Sequence, residues 1–402
     1  MSKTHRDLAK MERAASEVDG EFCIPQEEGE VRHHIDLGPI LGDVERPGYF
    51  FLRKALLFVP AMFLFILAIQ LMKTGAAAIG PSIEGSFPFA NPLSTMGTGW
   101  LGAYLVLSGS PVAATTISLF GAGSITKLET LTMLSGSRLG ASFIVLVTGF
   151  LYTLRNKSQR SVGLGVGIQA MTMTMVQYLP GMILAFFILR SGALDGVQWH
   201  ASGKLDAVLG RLWGPIVDAA EARLPGWALF VVGIATILLS FNLIDRVLPQ
   251  IDSNATVSNR RAWLTRPWTM FLLGCIVATL TLSVSVALTV LVPLAVKGYV
   301  KRDEALPYIM GANITTLADT LVVAMLQNTP VAAQVVLAEA IGVTIVSLAI
   351  LAFWYQPVKR GVIRLDDYFV GSTKRLAIFV GILFVLPVSF LLSGLWIGPI
   401  VR

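Results

Sequence analysis

Charge is scarce in this sequence. Asp, Glu, Lys and Arg make up 14% of its 402 residues, where a soluble domain carries roughly a quarter. Hydrophobic residues make up 54% and the mean hydropathy is +0.70, so most of the chain belongs in a lipid bilayer. The formal net charge of +6 reads as loop lysines and arginines that orient a membrane protein, and no nucleic-acid partner is expected. Cysteine is nearly absent. Cys23 and Cys275 stand in unlike contexts, a polar tail and an apolar run, which argues against a disulfide or a cysteine metal site. Histidine is scarce too, and His5, His33, His34 and His200 all fall outside the apolar runs. The pair His33-His34 has no third ligand nearby and reads as solvated.

These scarcities bear on function. A serine hydrolase needs a base beside its nucleophile, and no histidine is placed to serve. An aspartyl-type enzyme needs two close carboxylates, and Asp319 is the one counted well inside an apolar run. Phosphate loops, Rossmann turns and metal-ligand clusters are missing. The chain therefore reads as not an enzyme, without a cofactor, and without ATP-driven pumping.

Residues 1–50 are polar, carry both charge signs and lack the apolar core of a signal peptide. They read as a disordered cytoplasmic tail, or one lying on the membrane surface. Apolar runs follow at Ala55–Met72, Gly99–Gly123, Leu131–Leu154, Val162–Leu189, Trp227–Leu248, Trp268–Val296, Ala305–Leu326, Val331–Tyr355 and Leu376–Trp396. A loop containing Pro81, Pro88 and Pro92 is expected after the first, and Leu205–Ala222 reads as a surface helix. Two runs are interrupted, at Ser108-Gly-Ser110-Pro111 and at Ser283-Val-Ser285, and a further interruption falls at Gly311–Thr316. Proline disfavours helix at the residue before it, so the first run should form two half-helices that dip into the membrane as a re-entrant hairpin.

Basic residues crowd at Arg53-Lys54, Arg155/Lys157/Arg160, Arg246 with Arg260/Arg261/Arg266, and Lys359/Arg360/Arg364 with Lys374/Arg375. Placing all four groups in the cytoplasm puts Lys73–Thr98, Arg190–Gly226 and Gln327–Pro330 on the other face. The first interrupted run then enters from outside and the second from inside.

Gly136 and Gly311 are 175 residues apart (311 − 136). A shift of that size superposes Ser108 on Ser283, Ser110 on Ser285, Gly123 on Gly298, Glu129 on Glu304 and Leu131 on Leu306. The charge rule gives the paired segments opposite orientations. The expected architecture is thus an all-α polytopic membrane protein with two inverted-topology repeats, 51–190 and 227–364. Each repeat holds a re-entrant helical hairpin and a broken transmembrane helix. An extracytoplasmic loop, 191–226, joins them, and 365–402 adds a C-terminal transmembrane helix. Such architecture belongs to secondary transporters, whose sites lie between the repeats near the midplane. Broken helices leave amides that favour anions and carbonyls that favour cations.

The second repeat, LSVS…VLVPLA…EALPYIMGANITT, resembles the sodium–phosphate cotransporter family. In that family each repeat carries Gln-Ser-Ser-Ser followed by Gly-Ala-Asn-Ile-Gly-Thr. The first repeat, LSGS…ISLFGAG…GSRLGAS, looks like a drifted counterpart. The resemblance implies sodium-coupled symport of inorganic phosphate or a related small anion, with sodium as coupling ion and no other cofactor. It carries Ser108, Ser110, Ser283 and Ser285 over as substrate ligands, and Asn313 and Thr316 as cation ligands. Thr115, Thr315 and Asp319 are added as candidate cation ligands, and Arg138 as a candidate anion ligand. The chain departs from the motif at Leu107 and Leu282, where glutamine is expected, and at Gly109, Val284, Thr315 and Arg138, which stands in place of asparagine.

Arg138 has two readings. Its guanidinium binds the anion or stands where a sodium ion would sit, or it forms an internal salt bridge with a carboxylate such as Asp319. Thr115 and Thr116 either offer hydroxyls to a site or bond their own backbone. The run Gln169–Met175 with Gln177 reads as a helix–helix contact, and Glu129 and Glu304 as helix N-terminal acids. The expected location is the plasma membrane, in a bacterium the inner membrane, with the N-terminal tail cytoplasmic and an oligomer possible. A transport-inactive ion or anion sensor is the competing class, with a membrane hydrolase behind it.

Overall fold

The computed structural model describes residues 47–155, 160–199, 203–247, 266–281, 283–296 and 298–397. The tail expected over residues 1–50 therefore lies outside them up to residue 46. So do all four histidines, Cys23, Leu282, Lys157, Arg260 and Arg261. The described residues are helical and contain no strand. The first half comprises α1 (Pro47–Ile83), a 3-10 turn (Phe87–Phe89), α2 (Pro92–Val106), α3 (Ser110–Gly121), α4 (Lys127–Ala141), α5 (Phe143–Arg155) and α6 (Arg160–Arg190). Next come α7 (Gly203–Glu221), α8 (Gly226–Val247), α9 (Pro267–Thr281), α10 (Val284–Thr289) and α11 (Leu291–Val296). The remainder is α12 (Arg302–Thr315), α13 (Leu317–Leu326), α14 (Pro330–Ala349), a π-turn (Ile350–Trp354), α15 (Tyr355–Val370) and α16 (Thr373–Trp396).

Among the described residues, seven helical segments are long and apolar enough to cross a membrane: Leu56–Ile83, Lys127–Leu154, Ser161–Arg190, Gly226–Ile244, Arg302–Leu326, Pro330–Val370 and Thr373–Trp396. Their outward faces carry large apolar side chains that no protein covers, among them Ile183, Phe187, Val231, Phe353 and Trp396. Exposure of that kind is a liability in water and suits a lipid-facing surface.

Three boundaries differ from the sequence expectation. Helix α1 runs on to Ile83 through Pro81, so the expected loop shrinks to the residues around the 3-10 turn. Pro81 lies in the last turn, where its missing N–H forfeits one bond, to the Ala77 carbonyl. Helix α14 continues past Tyr355 as α15, and a division at residue 364 would cut that helix. Pro357 cannot donate to the Phe353 carbonyl and crowds it. The chain widens to the π-turn at Ile350–Trp354 and then resumes as α-helix. The second interrupted run is in three pieces, because Val290 separates α10 from α11.

Helix ends that the charge rule assigns to one face do meet. Lys73 Nζ donates to the Gln327 carbonyl at 3.2 Å, Gln327 Nε2 donates to Ser118 Oγ at 2.7 Å, and Lys127 lies 4.0 Å from Asp195. At the other ends of these helices, Arg302 pairs with Asp366 and Asp367, Gln169 Nε2 donates to Asp366 Oδ2 at 2.7 Å, and Lys359 pairs with Asp303 at 2.6 Å. Helix α7, the expected surface helix, forms and turns Leu209, Trp213 and Val217 inward. Trp213 Nε1 donates to the Phe63 carbonyl of α1 at 3.0 Å. Helix α16 lies on α2, with Tyr104 Oη donating to the Leu383 carbonyl at 3.2 Å.

Four close glycine contacts recur at the 175-residue offset. A Cβ on Gly99 would lie 2.1 Å from the Met133 carbonyl oxygen, and one on Gly136 2.2 Å from that of Met96. These are the contacts of α2 with α4. Gly274 and Gly311 meet the carbonyl oxygens of Tyr308 and Phe271 at 2.1 and 1.9 Å, between α9 and α12. Real Cβ atoms do not approach that closely, so each crossing requires glycine. Gly123 and Gly298 both take left-handed backbone, φ +74° and +77°. Glu129 and Glu304 cap their helices as expected, accepting from the Thr126 N–H at 2.7 Å and the Lys301 N–H at 2.9 Å.

Candidate functional site

The break between α2 and α3 is made by Leu107, which adopts left-handed backbone at φ +55°. A non-glycine residue there is uncommon. Proline at position 111 biases Ser110 away from continuing α2, and the Ser108 N–H closes α2 on the Ala103 carbonyl at 3.2 Å. Ser108 and Ser110 are half-buried at this break. Gly109 faces α4: a Cβ on it would lie 2.9 Å from the Ser137 carbonyl and 3.5 Å from Arg138 Nη1.

The break between α9 and α10 is held by local hydrogen bonds. Ser283 Oγ accepts from the Val286 N–H at 3.3 Å as an N-cap, and Thr281 Oγ1 donates to the Ser283 carbonyl at 3.0 Å. Ser285 Oγ reaches the other break and donates to the Leu107 carbonyl at 3.4 Å. The two interruptions, 178 residues apart at this contact, thus touch. Beside them opens a cavity of ≈ 470 Å³ lined by Leu107 and Ser285 together with Thr148, Tyr152, Thr289 and apolar side chains. Both breaks contribute to its wall, the first through Leu107 and the second through Ser285.

Arg138 lies at the centre of a second group. Its side chain is 2% exposed, and Nη2 pairs with Asp319 Oδ1 at 3.3 Å while also donating to Thr320 Oγ1. The internal pair with Asp319, one of the two readings of Arg138, is formed. Asp319 Oδ1 accepts further from the Thr320 N–H and Oγ1 at 2.5 and 3.0 Å. Arg138 Nε is buried without a hydrogen-bond partner.

The third group surrounds the breaks at Ser142, between α4 and α5, and at Thr316, between α12 and α13. Helix α6 passes both. Ser142 Oγ donates to Thr174 Oγ1 at 2.8 Å. The Asn313 amide donates to Thr174 Oγ1 at 3.0 Å and to Gln177 Oε1 at 2.8 Å. Gln177 Nε2 goes on to Ser347 Oγ at 2.7 Å, and Tyr178 Oη donates to the Asn313 carbonyl at 2.7 Å. Asn313 is therefore engaged by α6. The Gln169–Gln177 run is a helix contact made of polar bonds as well as methionine packing.

Two other candidate cation ligands spend their hydroxyl protons locally. Thr115 Oγ1 donates to the Pro111 carbonyl at 2.9 Å and Thr315 Oγ1 to that of Ala312 at 3.2 Å, the back-bonding expected of threonine in apolar helices. Thr316 Oγ1 is buried and makes no hydrogen bond.

The sequence reading overlooked one group. Asp319 is not the only carboxylate inside an apolar segment, because Glu339 lies within Pro330–Val370 and is 0% exposed. The rule that picked out Asp319, an acid inside an apolar run, also picks out Glu339. Thr174, Tyr178 and Thr320 carried no such signal, since each is an ordinary residue of a membrane helix until its partner is known. Among the described residues no three His, Cys, Asp or Glu side chains are grouped to hold a metal ion. Compared with models of known protein families, with curated proteins and with solved structures, the chain matches none.

Proposed function

We propose that the chain is a secondary active transporter, a sodium-coupled symporter of inorganic phosphate or a related small anion. In this reading it is built from two inverted repeats that meet at re-entrant hairpins. The observation that carries it is the contact of the two breaks, Ser285 Oγ on the Leu107 carbonyl, beside a cavity that both breaks line. Irregular backbone at membrane depth is tolerated where it is buried in protein or lines a cavity, and discontinuous helices meeting between repeats are how many transporters bind ions. The recurrence of glycine crossings and left-handed glycines at the same offset supports the repeat.

In this reading Ser108, Ser110, Ser283 and Ser285 face the anion during the cycle. Arg138 supplies a positive charge at the break, with Asp319 as its ion-pair partner. Asn313 and Thr316 mark the cation side. The protein sits in the plasma membrane with its N-terminal tail in the cytoplasm. One observation favours a transport-inactive sensor instead: Arg138 and Asn313 already have protein partners.

Uptake of radiolabelled phosphate into proteoliposomes under an imposed sodium gradient separates the two. Sodium-dependent uptake is the expected result, and absence of uptake with phosphate or any other small anion overturns the transporter reading. Replacing Ser285 with alanine removes one neutral hydrogen bond and should cost the fold about 1 kcal/mol or less. It should nonetheless lower uptake, because it changes the wall of the cavity. Unchanged uptake with an intact fold would remove the meeting of the breaks from the pathway.

A further inference from the structure

Glu339 sits near the middle of the 20-residue helix α14, about 15 Å from either end at 1.5 Å per residue. It is 0% exposed. Its Oε1 accepts from Ser135 Oγ of α4 at 2.6 Å, while Oε2 is buried and has no hydrogen-bond partner. Leaving an ionised oxygen orphaned in a protein interior is costly, so this oxygen calls for a partner that the neighbouring side chains do not supply.

The surrounding charges narrow the choice. Helices α4, α6, α13, α12 and α3 pack on α14. The ionisable groups that act on Glu339 are Arg138 of α4, one turn from Ser135, and Tyr178 of α6. Asp319 of α13 pairs with the same Arg138. Helix α3 has no ionisable residue, and those of α12 (Arg302, Asp303, Glu304 and Tyr308) fall in its first two turns. Arg138 is already committed to Asp319 and Thr320. One guanidinium thus faces two carboxylates, and the group is one positive charge short. A metal cation would need a shell of several oxygens; among the described residues no three His, Cys, Asp or Glu side chains are grouped to hold one, and the hydrogen-bond partner of this carboxyl is the single hydroxyl of Ser135. A proton needs a single oxygen.

We propose that Glu339 is a proton-binding site and that its proton moves in step with the transported anion. Protonated, the carboxyl is neutral and donates or accepts across the Ser135 contact, and Arg138 belongs to Asp319 alone. When the proton leaves to water, the carboxylate competes with Asp319 for Arg138 and loosens that pair at the first break. Protonation and release therefore alternate Arg138 between two partners on α13 and α14, the helices on either side of the Gln327–Thr329 turn. The coupling half of this inference rests on the transport reading, whereas the protonation half does not.

The full-length protein in lipid bilayers tests both halves. Infrared difference spectra recorded between acid and alkaline buffer should show a protonated-carboxyl stretch that shifts in heavy water. The band should be lost in Glu339→Gln and kept in Asp319→Asn. A wild-type spectrum without that band, or a band that survives Glu339→Gln, overturns the site. In proteoliposomes, an inward proton gradient should accelerate phosphate uptake by the wild type. Glu339→Gln should lose that response while still exchanging anion for anion, and an unchanged response overturns the coupling. Should Glu339→Gln fail to fold, Glu339→Asp keeps the carboxyl and should shift the pH midpoint of the band; an unmoved midpoint also counts against the site. If the wild type takes up no anion at all, the transport reading fails and the infrared band alone decides the proton site.

Discussion

Arg138→Gln should lose coupled anion uptake and destabilise the protein by about 3–5 kcal/mol, the usual range for removing one partner of a buried ion pair. The side chain is 2% exposed against 12% for Asp319, so little water is available to solvate whichever charge is left behind. Glutamine keeps a donor near Thr320 but removes the positive charge. The two buried or half-buried carboxylates, Asp319 and Glu339, then have no fixed cation among the groups that act on them. Unfolding in detergent measures the stability loss. The double variant Arg138→Gln with Asp319→Asn should recover much of the stability and none of the uptake. Recovery of uptake would show that the pair is structural and plays no part in moving the anion. An unchanged stability in the single variant would show that the pair contributes nothing to the fold.

The second large effect is predicted at Gly311. A Cβ there would lie 1.9 Å from the Phe271 carbonyl oxygen and 2.9 Å from the Cys275 amide nitrogen. These are backbone atoms and cannot swing away, so Gly311→Ala must push α9 and α12 apart. Overpacking of this kind costs about 1–3 kcal/mol and sometimes more, and the break at Thr316 lies just beyond the crossing. Gly136→Ala, whose Cβ would lie 2.2 Å from the Met96 carbonyl oxygen, should lose a similar amount. Gly210→Ala is the control, because nothing lies within 4 Å of its added Cβ. It should be neutral or gain about 0.5–1 kcal/mol from helix propensity. Matching losses at Gly136 and Gly311 would mean that the two halves of the chain use the same contact in the same way. A loss at one position alone would count against an internal repeat.

Much of the helical order is legible from hydropathy, because a membrane helix must satisfy its backbone internally and so announces itself as a long apolar run. The ends were less legible. Pro81 reads as a loop signal but occupies the last turn of α1, and the apolar run expected to end at Tyr355 instead passes through a π-turn into α15 around Pro357. In both cases helix resumes or persists because one lost hydrogen bond is a small penalty against the packing of a whole segment. The serine breaks are visible as small polar residues in apolar surroundings. That they touch each other is a tertiary fact with no local trace.

The candidate site divides in the same way. Arg138 and Asp319 stand out as charges in apolar runs, and their pairing was one of two open readings. Glu339 satisfied the same criterion and was passed over. Thr115 and Thr315 match a ligand pattern by residue type, yet they bond to their own helices. Residue type alone does not distinguish a hydroxyl that faces a ligand from one that faces the preceding turn. The polar chain through Ser142, Thr174, Asn313, Gln177 and Ser347 emerges only once α6 is laid across the two breaks.

The length of α1 bears on the lipid as well as the protein. Its apolar stretch, Leu56–Ile83, covers 28 residues, about 42 Å at 1.5 Å each, whereas a typical hydrocarbon core is about 30 Å thick. Such a helix fits by leaning, by thickening the bilayer around it, or by carrying the turns beyond Lys73 out of the hydrocarbon. Gly75 ties α1 to α8, since a Cβ there would lie 2.5 Å from the Phe230 amide nitrogen and the two backbones cannot slide freely past one another. Any response of α1 to lipid chain length is therefore shared with α8.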